Sequence, residues 1–230
     1  MHSTLSLKRC ASIACILAGY LFIAAPLPVH ALPLNLSSTH PGDVTTHYTQ
    51  VDYTLDANPS TGTFVAEGYP DEFDVNLQGF TTSFFTLSAT VNRTNGNIVG
   101  GTVTITGDTD GVPNYTGTLL TGNLIGRMGY ADGPLGSPGL GNIFEFHVQV
   151  TGGALAAPYY STGYAGIILN IENGGPSPFT GFLTSAFSNQ GTGFSDTFPI
   201  ENPNIPEPSS IILLALGVLP LAWRLRRRGR

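Results

Sequence analysis

The stretch Phe144 to Val150 reads FEFHVQV. On an extended chain Phe144, Phe146, Val148 and Val150 share one face while Glu145, His147 and Gln149 share the other, because successive strand side chains point to opposite sides. The same period of two sets Val51, Tyr53 and Leu55 against Gln50, Asp52 and Thr54. It also sets Phe85, Leu87, Ala89 and Val91 against Phe84, Thr86, Ser88 and Thr90. Each segment therefore buries one face and wets the other. Further apolar segments, GTLLTGNLIG, GYAGIILNIE, FTGFLTSAF and DTFPI, are separated by Gly, Pro and Asn, and no capped run of helical period appears outside the two termini.

Turn chemistry joins the strands. NPSTG (Asn58 to Gly62) and NRTNGN (Asn92 to Asn97) each stand between two such runs, and Asn95-Gly96 is a strong hairpin signal because its turn needs positive φ. Antiparallel neighbours are expected at both. YADGPLGSPGLGN, Tyr130 to Asn142, holds too much Gly and Pro for a strand and reads as a surface connection, with a binding loop as the alternative. The predicted fold is all-β: an antiparallel β-sandwich or jelly roll of roughly eight to twelve strands, flanked by an N-terminal signal helix and a C-terminal apolar helix. Thr and Gly lead the composition of Leu32 to Ile205, at 25 and 26 residues, as strands joined by tight turns require.

The two ends differ in kind from the middle. Lys8 and Arg9 precede an uncharged apolar run, Ala11 to Ala25, and Val29 and Ala31 supply small residues three and one positions before a cut. This is the pattern of a signal peptide, residues 1–31, cleaved after Ala31 by signal peptidase. Cys10 and Cys15 leave with it, so the exported part carries no thiol or disulfide. A single β-rich extracytoplasmic domain, 32–200, then a linker with the PEP motif, 201–208, and a short membrane anchor, 209–230, complete the organisation.

Charge narrows the partners. Between Leu32 and Ile205 only Arg93 and Arg127 oppose fourteen acids, a net of −12 without any lysine. This balance argues against nucleic acid and anionic lipid as partners, since both need cationic surface.

Ile211 to Trp223 is 13 residues without a charge, about 20 Å as a helix against a hydrocarbon core of about 30 Å. Pro220 weakens it further. Arg224, Arg226, Arg227, Arg228 and Arg230 follow and hold that end in the cytoplasm. The signal peptide demands the same orientation. Pro206-Glu207-Pro208, the apolar run and the arginines, in that order, resemble the PEP-CTERM sorting signal of Gram-negative bacteria. The resemblance covers the last 25 or so residues. It implies a transient stay at the inner membrane, recognition by an exosortase-type enzyme, removal of the tail, and delivery to the cell surface or an exopolysaccharide matrix.

Catalytic chemistry is thin. The G-x-S-x-G elbow is absent, GTGFSDT around Ser195 being a superficial echo, and His40, His47 and His147 lack metal-site spacing. His147 and Glu145 are two apart and share a face, which reads as a solvated or sheet-packed pair. Fourteen acids single out no glycosidase pair. Asp108 and Asp110 in GDTDG are the candidate metal ligands, with calcium as the cation because it favours carboxylate oxygens. Asp71, Glu72 and Asp74 in PDEFD form a second acidic cluster, and no other cofactor is expected.

The expected function is an exported, non-enzymatic surface or exopolysaccharide-matrix protein. The alternative is a carbohydrate-binding or polysaccharide-processing β domain, calcium-assisted or not, with polysaccharide as partner. A concave sheet lined by Tyr and paired acids favours the alternative; a convex, Thr-covered wall favours the first.

Overall fold

The computed structural model describes residues 33–37, 41–132, 142–171, 185–190 and 193–203. Its strands follow in chain order: β1 (Val44–Leu55), β2 (Thr61–Phe73), β3 (Gln78–Asn92), β4 (Ile98–Thr109), β5 (Thr118–Asp132), β6 (Asn142–Gly152), β7 (Tyr164–Ile171), β8 (Phe187–Gln190) and β9 (Gly193–Pro199). A 3-10 turn, Val75–Leu77, links β2 to β3, and a single helical turn, α1 (Ala156–Tyr159), links β6 to β7.

Every neighbouring pair is antiparallel, and the sheet closes. β1 pairs β2 along its length, and on its other edge pairs β9 through Val44–His47 and β8 through Gln50–Tyr53. β8 and β9 thus lie end to end as one stave, giving a closed barrel of eight staves in up-and-down order. The expected sandwich or jelly roll is corrected to a barrel. Alternation is the same in both architectures; what distinguishes them is the pairing of first strand with last, a contact between residues about 150 apart that leaves no local mark. Both predicted hairpins form, β1–β2 and β3–β4, and Gly96 takes φ +73° in the second.

The apolar half of each alternation faces the lumen. Phe85, Leu87, Ala89 and Val91 are fully buried there, with Phe64, Phe144, Phe146, Tyr53 and Leu169. Phe64 sits among Phe144 at 5.0 Å, Phe146 at 5.4 Å and Phe187 at 6.3 Å between ring centroids. The lumen is a packed core. At the opposite end of the barrel Tyr160 closes the bore, its hydroxyl reaching the carbonyls of Gly42 at 2.8 Å and Thr197 at 3.0 Å. Hydrophobic residues inside and hydroxyls outside is the reverse of a membrane-spanning barrel.

The outer wall of β2 to β5 is convex and covered by hydroxyls. Cross-strand rows run Glu67, Thr86, Thr104, Thr121 and Val65, Ser88, Thr102, Asn123. Bulges curve this wall: Gly107, at φ +146°, lies against Ser83, and a Cβ on it would stand 2.9 Å from the Ser83 Cα. The expected signal helix and apolar anchor lie outside the described residues. Among those residues no helix is long and apolar enough to cross a membrane.

Candidate functional site

Asp108 and Asp110, the candidate calcium ligands, tie backbone. Asp108 Oδ1 accepts from the Gly117 N–H at 3.1 Å and Asp110 Oδ1 from the Gly79 N–H at 2.8 Å. In the second acidic cluster, Asp74 Oδ1 accepts from the N–H groups of Gly42 and Asp43, at 2.7 and 3.0 Å. Among the described residues no group of three or more His, Cys, Asp or Glu is arranged to hold a metal ion. Ala31, Pro206, Glu207, Pro208 and Arg224, Arg226, Arg227, Arg228 and Arg230 lie outside the described residues.

Glu145 departs from its expected wet face. It is 4% exposed: Leu34 and Leu36 of the N-terminal lead-in lie over it and donate their backbone N–H groups to its two carboxylate oxygens, the Leu36 bond at 2.8 Å. Gly129 opens the seat, because a Cβ there would stand 2.6 Å from the Leu34 Cγ. The carboxylate is a clasp, with its acceptors engaged. His147, on the same face, is half-buried, and loss of hydration lowers its pKa.

On the bare part of the wall the aromatic residues Tyr69 and Phe84 point outward, 53% and 37% exposed. Their ring centroids are 5.7 Å apart, planes at 61°. In register beside Tyr69 on β1 stands His47, whose Nδ1 meets Asp71 Oδ2 at 2.6 Å. The sequence held the signal for this corner: adjacent Phe84 and Phe85 on one strand must face opposite sides, and Phe84 is the large apolar residue on a face of Thr86, Ser88 and Thr90.

Two other places gather polar groups. Inside the closing seam Thr46, Ser195 and Thr197 point into the lumen fully buried, with Tyr48 beside them. Among the described residues their hydroxyls have no hydrogen-bond partner. Burial raises the Tyr48 pKa well above its ordinary value; Ser195 offsets part of this, although the pair falls outside hydrogen-bond geometry.

At the barrel end where the chain leaves β9, a shallow cleft of about 240 Å³ is lined by Pro41, Pro158, Tyr159, Thr162, Ile200 and Glu201, among others. The Tyr159 phenol is pushed up to about 12, by desolvation first and then by the neighbouring Tyr115 hydroxyl. It stays protonated at neutral pH and is no general base there.

Comparison with known proteins places one feature. A family model for the PEP-CTERM protein-sorting motif matches residues 204–228. The C-terminal tail thus carries that motif, which implies processing by an exosortase-type enzyme and the routing of an exported protein through the membrane to the cell surface. No curated protein and no solved structure matches the chain.

Proposed function

We propose that this chain is an exported, non-enzymatic protein of the cell surface or exopolysaccharide matrix. The sorting motif at residues 204–228 is the observation that carries this reading. The signal peptide starts export and is removed after Ala31. The apolar run Ile211 to Trp223, held by the arginines behind it, then parks the acidic barrel outside the inner membrane until the tail is cut. The barrel supports a structural role: its lumen is occupied by side chains, and its wall from β2 to β5 presents hydroxyls on a convex surface.

The test is Glu207→Ala. Export continues, while the variant keeps its tail and stays at the inner membrane; mass spectrometry of the C-terminus reads the difference. Arg230 still attached to wild-type protein recovered from the cell surface overturns the sorting scheme. A carbohydrate-contacting role is the second reading, favoured by the outward ring corner of Tyr69 and Phe84.

A further inference from the structure

We propose that the corner of Tyr69 and Phe84, with His47 and Asp71 beside it, is a contact site for one or two residues of a neutral polysaccharide. This deepens the second reading and rests on the matrix destination for the source of the glycan.

The corner stands where β2 and β3 enter a bulge. Gly68 pairs Phe85 and Glu72 pairs Gly79, so β3 carries two more residues than β2 over this interval. Thr82 takes φ +50° within it, and the Ser83 hydroxyl donates to the Pro70 carbonyl at 2.5 Å. Alternation sets both rings on a wall rich in Thr and Ser, Tyr69 out of phase with buried Phe64, Ala66 and Gly68, and Phe84 with buried Phe85 and Leu87. The bulge and the Ser83 bond hold the backbone beside them. A backbone pinned this way presents the rings at a set angle, which lowers the ordering cost of binding.

The chemistry selects the occupant. A pyranose has an apolar C–H face bounded by hydroxyls. One ring of the corner receives that face while the other meets its edge, since the planes stand at 61°. The His47–Asp71 pair, with side chains 67% and 46% exposed, offers donors and acceptors at the rim. Thr86, Thr104 and Thr106 continue the hydroxyl surface along β3 and β4. Two rings fall far short of the ~800 Å² per partner of a stable protein interface. A polyanion is disfavoured by the −12 balance of residues 32–205, which leaves the neutral glycan.

Calorimetry on the full chain in detergent micelles tests this with cellohexaose, xylohexaose and mannohexaose as neutral probes and polygalacturonate as the anionic one. At least one neutral probe binds with millimolar or better affinity. Tyr69→Ala with Phe84→Ala weakens that binding at least tenfold while the fold is retained, and His47→Ala weakens it less. Should the double variant fail to fold, Phe84→Thr alone, which restores the residue type of its face, gives the same loss. The proposal is overturned if no neutral probe binds, if polygalacturonate binds more tightly than all three, or if a folded ring variant binds like the wild type. In cells the double variant loses its tail normally yet is shed into the medium. A double variant retained like the wild type counts against the site; wild-type protein that keeps its tail at the surface counts against the sorting scheme instead.

Discussion

Phe64→Ala separates a packed lumen from a hollow one. Phe64 is fully buried, with Phe144, Phe146 and Phe187 at 5.0, 5.4 and 6.3 Å. Truncating a core Phe to Ala costs about 3–5 kcal/mol, and the lost ring pairs, each about 0.5–1.5 kcal/mol beyond area, set this site toward the upper end, about 4–5 kcal/mol. With an m-value of about 2 kcal/mol/M in urea, the unfolding midpoint falls by roughly 2 M. A domain in the upper part of the ordinary range of about 5–15 kcal/mol remains folded after that loss, and one at its lower end unfolds without urea. Phe84→Ala is the internal control: the same deletion on the outer wall, where the ring is 37% exposed and has Tyr69 as its ring partner, costs about 1 kcal/mol. Urea titration followed by tyrosine fluorescence and far-ultraviolet circular dichroism reads both. A loss below about 1.5 kcal/mol for Phe64→Ala, with m unchanged, refutes the reasoning. The bore would then be a solvated calyx suited to carrying a ligand, and the structural role proposed for the barrel would lose its support.

Two further outcomes follow from the wall. Glu145→Ala removes the acceptor for the Leu34 and Leu36 N–H groups; hydrogen exchange at those amides rises to the rate of an unstructured chain while Phe146 and Ile167 stay protected, and persistent protection at Leu34 contradicts the clasp. His147 has its pKa lowered by burial, so below the ordinary value of about 6.5 the unfolded chain binds the proton more readily. Stability therefore falls as pH drops from about 6.5 through the lowered folded value. His147→Asn flattens this slope in melting curves between pH 7 and 5; an unchanged slope assigns it to another group.

How far the chain could be read depended on whether the deciding contact was local. Alternation at Phe85, Leu87, Ala89 and Val91 placed those side chains in the core correctly, and Asn95-Gly96 placed a hairpin, because pleat and turn are properties of a few consecutive residues. Glu145 was misplaced for the opposite reason: its partners are 111 and 109 residues away, and no pattern around FEFHVQV announces that a lead-in will lie over it. Phe84 was placed on the outer face, yet its ring partner Tyr69 became apparent only with the register of β2 on β3.

The amino-acid sequence alone determined many of the strands, most of their buried faces, the two hairpins and the sorting motif at the C-terminus, whereas Leu55, set on a buried face by alternation, is 42% exposed at the end of β1. Each is written in adjacent residues, by the period of two, by turn residues that tolerate positive φ, and by the order of proline, apolar and arginine segments. Tertiary structure decided that the sheet closes on itself, that a buried carboxylate holds the lead-in, and that two rings meet on the outer wall. Those outcomes depend on the pairing of β1 with β8 and β9 and on accumulated twist and bulges along all eight staves, which no local stretch of chain encodes.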